Sequence, residues 1–81
     1  MTRGSERNRL RYTGLLRVVW KPKGRKSRKI SITSDPALWV DIGQAKLEAL
    51  VREEFCDPLR AVGSCLEMVD STGSVILRWK W

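Results

Sequence analysis

Six basic side chains, Lys21, Lys23, Arg25, Lys26, Arg28 and Lys29, fall within nine residues of this 81-residue chain. Cations at that density match the evenly spaced phosphates of a nucleic acid, and neutralising phosphates releases condensed counterions. Arg17 lies just upstream of the run, and Arg7, Arg9 and Arg11 alternate with uncharged residues nearer the N-terminus. Near the C-terminus Arg78 and Lys80 flank Trp79, a pairing of charge with an aromatic ring that suits a strand of stacked bases. From Met1 to Lys29 there are eleven basic residues and one acid, whereas from Ile30 to Trp81 there are five basic and eight acidic residues. That asymmetry, within a net charge of +7, exceeds what solubility requires and points to an anionic partner.

Other chemistries find little support in the residues. The chain has no histidine, so it lacks the commonest general base and metal ligand. Ser5, Ser64 and Ser71 have no imidazole to activate them. Cys56 and Cys65 alone form no zinc motif and are expected as free thiols in a reducing compartment. Neither a phosphate-cradling glycine loop nor a membrane-spanning apolar run is present, and no secretory signal is evident. The reading is an intracellular (cytoplasmic or nuclear), non-enzymatic binding module with no cofactor. Nucleic acid, DNA or RNA, is the leading partner and an acidic protein the alternative.

The elements that position these residues follow from periodicity. Residues 1–12 are polar and arginine-rich and read as a flexible basic arm, leaving 13–81 as one domain. Residues 14–20 alternate as a strand, with Leu16, Val18 and Trp20 on one face. Pro22 and Gly24 break the chain, and Arg28 to Thr33 returns as a second strand with Ile30 and Ile32 inward. The basic run therefore becomes a cationic hairpin loop. Asp35-Pro36 has the form of an N-cap and first helical residue, yet Leu38, Val40 and Ile42 alternate like a strand, so residues 37–42 stay open between helix and strand. Asp41 and Gln44 stand at capping-box spacing. From there a helix is predicted over about residues 43–55, its stripe formed by Leu47, Leu50, Val51 and Phe55. Cys56-Asp57-Pro58 ends it. Residues 65–69 and 75–81 read as strands joined by the turn Asp70-Ser71-Thr72-Gly73, with Val75, Leu77, Trp79 and Trp81 sharing a face. The fold class is α+β in two layers, a single helix packed on a four- or five-stranded sheet. Such a thin core leaves apolar surface that a homodimer would cover.

The order hairpin, helix, hairpin resembles the ubiquitin-like β-grasp, and within it the PB1-type interaction domain. The resemblance rests on residues 15–34 with Lys21 near the end of the first strand, on Asp35-Pro36 through Trp39-Val40-Asp41-Ile42, and on Leu66 to Ile76. It implies a PB1 domain of the basic type, in which Lys21 meets carboxylates on a partner protein.

Overall fold

A computed structural model of the chain describes residues 14–81. The proposed arm, with Arg7, Arg9 and Arg11, lies outside the described residues. Strands β1 (Leu16–Lys21) and β2 (Arg28–Thr33) form the first hairpin. Helix α1 (Pro36–Glu54) and a short turn of helix α2 (Pro58–Ala61) follow. Strands β3 (Cys65–Val69) and β4 (Val75–Lys80) form the second hairpin. The sheet has four strands in the order β2-β1-β3-β4, antiparallel throughout, with the helix packed on one side. The α+β architecture expected from the sequence is thus the one observed.

Alternation decides which side faces the helix. Leu16, Val18 and Trp20 of β1 and Leu66 and Met68 of β3 are buried there, against Trp39, Leu47 and Val51 of α1 and Ala61 of α2. Leu50 and Phe55, the other members of the predicted helical stripe, pack at the margin of this core. Trp20 is fully enclosed, and its indole N–H finds no acceptor among the described residues. Such an unpaired donor costs about 1–3 kcal/mol, which the burial of so large a ring must outweigh.

Three details depart from the sequence reading. The helix begins at Pro36, not near Gly43: Asp35 is the N-cap, its carboxylate accepting the Leu38 N–H at 3.4 Å, and proline sits in the first turn where no N–H is needed. Residues 37–42 are therefore helical, and Gly43 lies mid-helix because the Trp79 indole presses directly against its backbone. Trp39 and Trp79 meet beside it, ring centroids 6.4 Å apart and tilted by 50°.

The second departure is a β-bulge in β2. Val18 opposes Ser31 and Val19 opposes Lys29, so Ile30 is an extra residue without a partner. Ile30 packs on the core as expected, but beyond the bulge the phase reverses, and Ile32 shares the opposite face with Arg17 and is 50% exposed. The third is the same device in β4. Met68 opposes Leu77 and Val69 opposes Val75, making Ile76 the extra residue. Ile76 and Leu77 both pack on the core, while Val75 is turned away from it. The intervening turn behaves as its residues dictate. The Asp70 carboxylate accepts from the Thr72 hydroxyl at 2.6 Å and from the N–H groups of Thr72 and Ser74, and Gly73 takes a φ of 88°.

Candidate functional site

The side of the sheet away from α1 is covered by no described element, and its residues follow from the register. One row across the strands is Ile32, Arg17, Val69 and Val75. The next is Lys29, Val19, Glu67 and Arg78, and the last is Lys21, Cys65 and Lys80. Five cations, Arg17, Lys21, Lys29, Arg78 and Lys80, thus share this open face with a single carboxylate. All five are exposed. Strands about 4.8 Å apart and rows about 6.7 Å apart keep these charges close enough to act on one extended polyanion.

Glu67 is the organising acid. It is 3% exposed, at the centre of the face, and accepts from Lys21 Nζ at 2.8 Å and from Arg78 Nε at 2.7 Å, one cation per oxygen. Burial alone pushes its carboxyl pKa up, but the hydrogen bonds and charges of Lys21 and Arg78 outweigh that and hold it below the ordinary 4.5. The carboxylate therefore stays ionised and fixes two long side chains that would otherwise wander. One charge is neutralised, and the surroundings remain strongly positive.

The hairpin cations do not gather as one lobe. Arg25 and Arg28 turn to the helix side, where Glu54 at the end of α1 receives Arg25 Nη1 at 2.6 Å and Arg28 Nη2 at 3.7 Å. Arg28 faces that way because it pairs with the inward-facing Trp20. Lys23 stands beside Phe55 and Arg60 at the same end of the helix, and Lys26 is exposed in the loop. Of the six clustered basic residues, the strand register places Lys21 and Lys29 on the open face. Trp79 leaves the predicted set as well: it opposes Leu66 and packs under α1, on the side of the sheet opposite Arg78 and Lys80.

Lys21, Lys80 and Arg78 border a hollow of about 360 Å³ at one end of the open face, together with Gly63, Ser64, Cys65, Trp81 and the carboxylate-bearing Glu67. The Trp81 N–H donates to the Ser64 carbonyl at 3.1 Å, which pins the backbone beyond β4. Cys65 is a free thiol whose pKa is raised, first by burial and then by the neighbouring Glu67 charge, so it stays protonated and a poor nucleophile. Cys56, also free, is exposed and not the buried hydrophobe its type suggests. Among the described residues no group of three or more acids, cysteines or histidines is placed to hold a metal ion, and no helix is long and apolar enough to cross a membrane.

Sequence reasoning missed the part of Glu67. The alternation of Cys65-Leu66-Glu67-Met68 already puts Glu67 opposite the core, and the turn at 70–73 brings β4 beside it. What the sequence does not display is that Lys21, far away along the chain, arrives on its other side. No family model, no curated protein and no solved structure matches the chain.

Proposed function

We propose that this chain is a small, non-enzymatic module that binds nucleic acid across the open face of its sheet. The observation that carries the reading is the concentration of Arg17, Lys21, Lys29, Arg78 and Lys80 on one exposed surface against the lone carboxylate of Glu67. Such a surface attracts a polyanion from a distance and contacts its phosphates on arrival. The face holds valines and an isoleucine between its charges and no aromatic ring within the strands, so it suits a phosphate backbone better than a row of stacked bases. The exposed loop lysine Lys26 adds to the positive charge of this end of the molecule.

Binding measured by fluorescence anisotropy with short labelled single- and double-stranded DNA and RNA, over a salt series, tests the reading. Affinity for unrelated sequences that falls steeply with salt is the expected result. Absence of binding at low salt, or equal binding to polyglutamate, refutes it and leaves an acidic protein as the partner.

A further inference from the structure

We infer that the outward face of α1 is a self-association surface, on which a second copy of this chain docks helix against helix and antiparallel. Helical spacing sorts the residues of α1 into two faces. Trp39, Gly43, Leu47 and Val51 turn toward the sheet and are buried. Leu38, Ile42, Ala45 and Ala49 follow one another along the other side at helical intervals, and all four are exposed. The solvent side of a helix in a two-layer domain is ordinarily polar, so a continuous apolar stripe there marks a surface that another molecule covers.

Two observations make that molecule a second copy. The first is charge. The chain carries a net charge of +7, so like molecules repel except where charge is balanced. The stripe is such a place: Asp41, Glu48 and Glu53 flank it against Lys46 and Arg52, and none of the five is in an ion pair with another described residue. Asp41 and Arg52 stand toward opposite ends of the stripe, about 16 Å apart along the helix axis. A twofold axis that seats Ala45 beside Ala49 of the second copy brings Asp41 level with Arg52 of that copy, to within about 1.5 Å along the axis. Symmetry repeats the pair at the other end, so one register forms two ion pairs, and alanines at the crossing let the helices approach closely. The second observation is shape. In this register Leu38 falls opposite the end of the second copy's α1, beside a hollow of about 280 Å³ lined by Val51, Phe55, Pro58 and Trp81, with Cys56 and the charged Glu48 and Arg52 around them. An exposed leucine at one end and an apolar hollow at the other are self-complementary. Glu48 comes near its own symmetry mate, and the Gln44 amide, donating to it at 3.5 Å, together with Arg52 one turn further on, offsets that repulsion. A dimer through α1 leaves both open sheet faces uncovered, so the inference stands independently of the nucleic-acid reading.

Sedimentation velocity of the full chain over a concentration series, at about 0.15 M salt, tests it. The wild type is expected to pass from monomer to dimer as concentration rises. Ala45→Glu puts a long charged side chain at the closest approach and is expected to abolish the dimer, with the circular dichroism and melting temperature of the wild type kept because the position is exposed. Asp41→Arg sets like charges against each other and is expected to weaken the dimer about tenfold, and Asp41→Arg combined with Arg52→Asp is expected to restore it. A wild type that stays monomeric up to about 1 mM overturns the inference. A dimer that survives Ala45→Glu forms elsewhere and overturns it as well. A double variant no stronger than Asp41→Arg alone refutes the antiparallel register, and the inference with it.

Discussion

Replacing Arg17, Lys29 and Lys80 together with alanine separates the open face from the hairpin loop as the seat of binding. These are the three cations of the face for which the described residues supply no carboxylate partner, whereas Lys21 and Arg78 share Glu67. If all five contact phosphates of a duplex, log K falls with log salt at a slope of about −4.5, and the triple variant retains about −1.8. Raising salt from about 50 to 200 mM then weakens the wild type about 500-fold and the variant only about twelvefold. The side chains are exposed, so the melting temperature is expected to stay put. The control is Arg25→Ala with Arg28→Ala, which removes as strongly basic a pair from the other side of the sheet. Anisotropy titrations at four or more salt concentrations give each slope. A triple variant with the wild-type slope, or a loop pair that lowers the slope as much per charge, refutes the assignment of binding to the open face.

Three further outcomes follow from the same geometry. Gly43→Ala, normally stabilising in a helix, is expected to destabilise by about 1–3 kcal/mol in urea unfolding, because the new methyl falls on the Trp79 ring. Glu67→Gln is expected to lose about 2 kcal/mol of stability at neutral pH, less than for a wholly buried pair since Lys21 and Arg78 are half exposed, and at the same time to bind oligonucleotides more tightly at low salt. The depressed pKa of Glu67 sets the acid behaviour: its contribution is complete above its ordinary 4.5 and is lost as pH falls through the lower folded value, so the Glu67→Gln variant has a flatter acid unfolding curve than the wild type. Asp35→Ala is expected to cost about 1 kcal/mol and to fray residues 36–40, readable as lost helical circular dichroism.

The elements were legible wherever one local rule acted alone. Alternation identified the inward residues Leu16, Val18, Leu66 and Met68, and the turn at Asp70 followed from its own side chains. The helix start was misplaced because two capping signals compete: Asp41 with Gln44 has the better spacing, but Asp35 precedes a proline that fits only a first turn, and Trp39 needs burial. The inward placement of Ile32 failed because a single inserted residue, Ile30, reverses the phase of everything beyond it, and nothing in Arg28-Lys29-Ile30-Ser31-Ile32 marks where the insertion falls. The cationic site was half legible. Its sign and its strand residues can be read from the chain, but the split of the basic run between two sides of the sheet depends on Glu54 waiting at the end of a helix that passes beneath the loop. Local sequence carries no measure of that distance.

The two inserted residues sit one on each outermost strand, Ile30 in β2 and Ile76 in β4. Each breaks the regular ladder where another molecule would seek to dock by strand addition, and bulged borders resist that kind of growth. The protein can therefore leave a broad sheet surface bare without inviting sheet-to-sheet polymerisation, and concentrated solutions are expected to remain free of fibrils.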